Sequence, residues 1–311
     1  MIAPSGEQFE IAFGDQRAVV VELGGGLRTY AVAVRDVLDG YDADAMSTAG
    51  RGQVLIPWPN RLQDGRYEFD GRSHQLPLTE PEHSNAIHGL VRWDPWIVGE
   101  REPHRVVMEY VLHPQPGYPF SLALAIEYDL SVDGLRVTTT AMNTGADRCP
   151  YGSGAHPYLT LGTATVDPLV LSVPAETVLQ SDDRGMPVGS ASVEGSDYDY
   201  RRPRPIGAAR LDNAFTDLHR DAHGIARVEL GDPEGGAAVT LWVDESYRYV
   251  MLFTGDRPDV GRGGLAVEPM TCPPNAFRTG QDLFRLDPEQ SVTSTWGISP
   301  MIAGPRMDVP Q

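Results

Sequence analysis

Four short segments of this 311-residue chain hold more rigid and polar residues than the ends of strands require, and two of them carry the groups best suited to moving protons. In Gly152-Ser153-Gly154-Ala155-His156-Pro157-Tyr158 the proline biases His156 to an extended backbone, and the glycines before it let a ligand come close. That combination predicts an exposed imidazole. In Leu265-Ala266-Val267-Glu268-Pro269-Met270 a carboxylate ends a short apolar strand, so Glu268 is expected to be half-buried, with weakened solvation and a raised pKa. An imidazole titrating at about 6.5 serves as an acid near neutrality, whereas a carboxylate at about 4.3 becomes an effective base there only if burial raises it.

The other two segments offer binding groups. Asn85-Ala86-Ile87-His88-Gly89 delivers a second histidine, and Trp93, five residues later, supplies a flat apolar face of the kind on which sugar rings stack. Gln53-Val54-Leu55-Ile56-Pro57-Trp58-Pro59-Asn60-Arg61 uses two prolines to stiffen the backbone before Asn60 and Arg61. Each residue alone has a plainer reading: a hydrogen-bonded structural histidine, a salt-bridged arginine, a solvated strand-end glutamate. Spacing leaves open whether residues 88, 156 and 268 converge, so the residues by themselves define a His, His, Glu site of open reaction type.

Strands must position these groups. Ala18-Val19-Val20-Val21-Glu22-Leu23, Arg105 to Val111, Ser121 to Tyr128 and Val239 to Val243 are short apolar or alternating runs punctuated by glycine, proline and aspartate. Asp70-Gly71 and Asp133-Gly134 stand where two-residue hairpin turns need positive φ. No window carries a capped helical pattern, so the expected fold class is all-β, built of antiparallel strands. Residues 181–213, polar and rich in Gly and Pro, read as an elaborated loop within a single domain spanning 1–311.

Composition narrows the partners. The formal charge is -18, from 43 acidic against 25 basic residues, and every basic residue is an arginine. Such a surface repels nucleic-acid backbones and anionic membranes, so neither is expected as a partner and a neutral small molecule fits better. Cys149 and Cys272 lie far apart without a C-x-x-C pair and are expected as two reduced thiols, with no metal site. The first residues lack a basic and apolar leader, and no long apolar run occurs, which predicts a cytoplasmic protein, monomer or homodimer.

Taken together, Pro-Asn-Arg at 59–61, Asn-x-Ile-His-Gly at 85–89, Gly-x-His-Pro-Tyr at 154–158, Leu-Asp-x-x-Phe at 211–215 and Glu-Pro-Met-x-x-Pro-Pro-Asn-Ala-Phe at 268–277 resemble the aldose 1-epimerase (mutarotase) family in content and order. The likeness runs on to Ser294-Thr295-Trp296-Gly297-Ile298, similar to the family's closing strand. The resemblance implies a large two-sheet sandwich with a concave site, no metal or organic cofactor, and a free monosaccharide of the galactose or glucose type as substrate. It implies Glu268 as general base and His156 as general acid. His88, Arg61 and Asp212 would hold the sugar hydroxyls and ring oxygen, with Asn60, Trp93 and Tyr158 also in contact.

One departure stands out. Leu159-Thr160 follows the Gly-x-His-Pro-Tyr motif where many members of the family carry Phe-Asn, so an aromatic wall is expected instead from Tyr249 or Phe253. A charged sugar held by further arginines such as Arg92 would leave the acid and base in place. The competing readings are a sugar-binding module without turnover, a glycoside hydrolase, which needs a carboxylate pair, and a phosphosugar epimerase using Arg201, Arg202 and Arg204.

Overall fold

In the computed structural model, which describes residues 2–257 and 260–302, the alternating segments become antiparallel strands. Leu122–Ser131 alternates strictly between buried and half-exposed positions, with Leu122, Leu124, Ile126, Tyr128 and Leu130 turned inward. That strand lies in a nine-stranded sheet whose centre is formed by Gly134–Asn143, Ser291–Ile302 and Ala237–Val243. A second, eight-stranded sheet runs in the order Pro187–Ser192, Ala175–Ser181, Asp212–Leu218, Tyr249–Phe253, Leu265–Met270, Gly154–Ala155, Val54–Leu55, with Tyr158–Leu159 also paired to Leu265–Met270. One buried cluster takes Leu124, Ile126 and Trp296 from the first sheet and Phe215, Leu252 and Val267 from the second, so the two pack face to face as a sandwich. A four-stranded meander from Gln8 to Asp36 adds Phe9, Ile11 and Val20 to the same cluster.

Helix is confined, among the described residues, to the four-residue turn Ala276–Thr279 and the 3-10 turn Pro81–His83. Among the described residues no helix is long and apolar enough to cross a membrane. The Asp70-Gly71 hairpin has both residues at positive φ, 47° and 75°. The second hairpin differs by one residue: Ser131 pairs with Gly134, so Val132-Asp133 form the loop and the left-handed conformation falls on Gly134, at φ 110°. Residues 181–213 are more ordered than a loop. Pro187–Ser192 pairs with Ala175–Ser181, and the turn between them sets the Arg184 guanidinium 2.8 Å from Asp64 Oδ1. Cys149 and Cys272 are both free and buried.

Candidate active site

Strand register brings the two proton-moving groups together. Gly154 pairs with Met270 and Tyr158 with Ala266, so His156, in the gap between the short strands Gly154–Ala155 and Tyr158–Leu159, lies opposite Glu268. Backbone bonds fix it there: His156 N–H donates to Gln53 O at 3.1 Å, Gly52 N–H to His156 O at 3.0 Å and Val267 N–H to Pro157 O at 3.1 Å. His156 Nε2 stands 3.3 Å from Glu268 Oε1. The same pleat carries neighbours in. Ala266 pairs with Phe253, which pairs in turn with Asp212, so Asp212, Phe253 and Glu268 share the face away from Leu252, Leu265 and Val267 in the core.

Arg61 and His88 come from a second unit. Arg61 pairs with Ile87, and the peptides of Asn60 and His88 close on each other: His88 N–H donates to Asn60 O at 2.9 Å, and Asn60 N–H donates to His88 Nδ1 at 3.3 Å. That second bond leaves the proton of a neutral His88 on Nε2. Asn60 and His88 both sit at positive φ, 56° and 62°, a strained conformation held by these bonds. Gly89 follows at φ 71°, and a Cβ there would lie 2.0 Å from Ile56 O, so only glycine fits. Glu80 grips Arg61 in a bidentate pair at 2.9–3.0 Å, and Asn85 holds Glu80 with a 2.9 Å bond from its side-chain amide. The second half of the 268–277 motif supports the same strand: Asn275 N–H donates to Arg61 O at 2.7 Å, and Phe277 packs on Trp58.

These groups line one cleft of about 250 Å³, with His156 and Glu268 on one side and Arg61, His88 and Trp93 among the others. A sequence model of the family described as Aldose 1-epimerase matches residues 7–299. The chain belongs to the aldose 1-epimerase family. It is 35% identical to the uncharacterized protein YihR of Escherichia coli K12 over 284 residues, 91% of this chain and 90% of that one. A shorter match, 27% over 167 residues, covers 50% of this chain and 46% of the galactose mutarotase of Rattus norvegicus. Among solved structures, the aldose epimerase homologue from C. elegans superposes with a TM-score of 0.85 at 17% identity, covering 96% of this chain and 99% of that one. The galactose 1-epimerase of Lactobacillus acidophilus NCFM gives 0.79 at 19%, covering 96% and 95%. Family membership makes this aldose 1-epimerase relative an isomerase, and the structural likenesses carry the fold.

Burial in this family member goes further than its sequence suggests. Glu268, expected half-buried, is 2% exposed, and His156, expected exposed, is 5% exposed. The cause is close packing. The Tyr158 ring stacks on the His156 imidazole at 5.1 Å and 14°, and Gly50, at φ 78°, passes so near that a Cβ would come 2.6 Å from His156 Cδ2. Tyr158 therefore stands behind His156, its hydroxyl spent on Ala49 O at 2.8 Å, and does not line the cleft. Asn60 and Asp212 do line it. Phe253 supplies aromatic surface there, whereas Tyr249 is buried with its hydroxyl 2.6 Å from Asp282. Arg201, Arg202 and Arg204 are absent from the lining, and Arg201 is taken by Asp199 and Glu176. The residues that sequence reasoning left out are Glu80 and Gly50. A glutamate in a Thr-Glu-Pro-Glu run gives no sign of its partner, and a turn glycine none of the imidazole above it.

Electrostatics follow from this packing. Burial pushes the Glu268 carboxyl well above the usual carboxylate range, Asp212 adds to it and Arg61 opposes. Burial also drives His156 down to about 3, and His88 well below the ordinary imidazole value. Asp212, at the cleft mouth, is raised by desolvation and pulled back by Arg61. For Arg61 burial is the largest influence and lowers the pKa, but the Glu80 bonds and the charges of Asp212, Glu80 and Glu268 together more than reverse it, so the guanidinium stays charged. Glu268 Oε2 and His156 Nδ1 are buried without a hydrogen-bond partner among the described residues. Within those residues no group of three or more His, Cys, Asp or Glu is arranged to hold a metal ion.

Proposed function

We propose that the protein interconverts the α and β anomers of a free aldohexose, with Glu268 as general base and His156 as general acid. The observation that carries this reading is the contact of Nε2 of His156 with a Glu268 carboxylate whose second oxygen is left without a partner, in a cleft lined by hydroxyl-binding groups. Ring opening takes the proton of the C1 hydroxyl onto Glu268 and gives a proton from His156 to the ring oxygen as the bond between that oxygen and C1 breaks. The aldehyde turns about the C1–C2 bond and the steps reverse on its other face. Both reacting oxygens are bonded to one carbon, so an acid and a base that touch each other can serve both.

The proton inventory fits. Before opening, the pair holds one proton as imidazolium and carboxylate; after opening it holds one proton as neutral imidazole and carboxylic acid. Burial disfavours the charged form of each group, and thus favours the arrangement that accompanies the open aldehyde. The base and acid are in effect one site sharing a proton. Arg61, His88 and Asp212 would orient the hydroxyls around it, with Trp93 and Phe253 as apolar walls.

The test is the anomerisation rate of freshly dissolved α-D-glucose and α-D-galactose by polarimetry. Glu268→Gln and His156→Asn are each expected to lower kcat by about 10²–10⁴-fold, the usual worth of a positioned acid or base. Sugar binding by calorimetry without acceleration in the wild type would replace this reading with a binding protein.

A further inference from the structure

An imidazole that moves protons must be held in one plane, and the usual device is a hydrogen bond to its second ring nitrogen. His156 is held differently. Its Nε2 meets Glu268 Oε1 at 3.3 Å, and its Nδ1 is buried without a hydrogen-bond partner among the described residues. The bonds to Gln53 and Gly52 seat its main chain, so the ring is fixed by what touches it. Gly50 passes beside Cδ2 and Nε2, His88 meets the ring at 5.4 Å and 75°, and Tyr158 lies nearly parallel to it at 5.1 Å and 14°.

Tyr158 is itself clamped. Its hydroxyl donates to Ala49 O, and the Arg51 guanidinium lies over its ring, 4.8 Å from the centroid. Arg51 is 8% exposed and donates from Nη2 and Nε to Asp39 Oδ2 at 2.9 and 3.2 Å. Asp39 closes the circuit, because its N–H donates to Tyr158 O at 2.8 Å. A line of contacts thus runs from a partly exposed carboxylate through a buried cation and a tyrosine ring to the imidazole, and Arg51 itself does not line the cleft.

The plainer account is a staple that ties the turn at residues 47–53 to the segment of Asp39. An apolar side chain packed on Tyr158 would hold that turn without taking a guanidinium out of water. The position of the charge separates the two accounts. Arg92 and Arg51 both add to burial in opposing a positive charge on the His156 ring, with Glu268 opposite and His88 beside it as the other titratable groups that face it. Around Tyr158 the charges are those of Glu268, Arg51, Arg257 and Asp39. A cation beside the acid makes the imidazolium a readier proton donor, which an apolar staple does not.

Resting on the assignment of His156 as the acid in anomer interconversion, we propose that Tyr158, Arg51 and Asp39 form the orienting stack of that acid, holding its ring in line with Glu268 and setting a positive charge beside it, in place of a hydrogen bond to Nδ1. Arg51 and Asp39 are positioning residues that act through the Tyr158 ring.

Anomer exchange of D-glucose and D-galactose, followed by magnetisation-transfer NMR, tests this with wild type, Arg51→Met, Arg51→Lys and Asp39→Asn. Arg51→Met, which keeps bulk and removes the charge, should lower kcat by about tenfold with KM held within about twofold. Arg51→Lys should recover at least about threefold of that loss, since it keeps the charge but not the planar stack. Asp39→Asn leaves the space filled and loosens the guanidinium, so it should show the same split at about threefold, and it carries the test if Arg51→Met does not fold. Unchanged kcat in Arg51→Met or Asp39→Asn, a loss carried by KM, or Arg51→Lys falling as far as Arg51→Met would each overturn the proposal while leaving anomer interconversion standing. Failure of folded wild type to accelerate either sugar would instead remove the reading on which the proposal rests.

Discussion

Glu268 and His156, proposed to share one proton, pair a raised with a lowered pKa, and this makes a prediction about pH. A lone acid of ordinary strength would impose a step at about 6.5. The coupled pair keeps its proton through that region, because His156 takes a second one only on approach to about 3 and Glu268 releases the shared one only well above the usual carboxylate range. The profile of kcat/KM is therefore expected to be flat across neutrality. A step centred near about 6.5 would show that His156 titrates alone. Stability carries the same signs. Glu268 has a raised folded-state pKa, so its contribution is present below about 4.3 and lost as pH rises through the folded value. Glu268→Gln should then raise Tm at alkaline pH relative to wild type while lowering kcat by about 10²–10⁴-fold. For His156 and His88 the folded value is depressed, so stability present above about 6.5 is lost as the pH falls below it. Much of this site was legible in short motifs, because proline, glycine and a polar residue side by side mark a chain bent for a purpose. Its depth was not. Tyr158 stands two residues from His156, but its motif implies a sugar contact and not the ring packed behind the imidazole, and the turn at Gly50 leaves no trace near position 156 in the sequence.

Among the elements, strands announced themselves and their partners did not. Leu122–Ser131 and Gly134–Asn143 are evident from alternation, yet the pairing of 154–158 with 266–270 joins segments more than a hundred residues apart, and no local pattern encodes it. The hairpin at 131–134 shows a smaller limit: Asp-Gly marked the turn correctly but not which of its residues would face the positive-φ requirement. Residues 181–213 were read as a loop because Gly, Pro and charge obscured a strand whose partner, Ala175–Ser181, supplies the order. One turn offers a direct test of how loops support the acid. Gly50→Ala places a methyl group against His156 Cδ2 at a backbone angle that alanine adopts only with strain. The expected outcome is a fall in kcat of roughly tenfold, about 1.4 kcal/mol in the barrier, from a displaced imidazole. A variant with unchanged kcat would mean that His156 is held by its backbone bonds alone.

At the scale of the whole molecule, the buried thiols report on cooperativity. Burial pushes both Cys149 and Cys272 up to about 12, one beside the strand Phe284–Leu286 and the other against Gly152 behind the cleft. A thiol reagent should label neither in the native protein and both over the same range of urea in which sheet structure is lost, as expected of one cooperative unit. Earlier labelling of Cys272 would mean that the cleft wall opens independently of the main core. The cross-strand seating of His156 opposite Glu268 has a further consequence, for diversification. The separation of the proposed acid and base is set by the spacing of hydrogen-bonded strands, a constant of the backbone, while Trp93, Arg92, Arg61 and Glu80 hang from the segments around it. Loops grafted from relatives could therefore exchange one sugar preference for another and leave the proton-transfer distance unchanged, so that chemistry and selectivity in this scaffold are inherited separately.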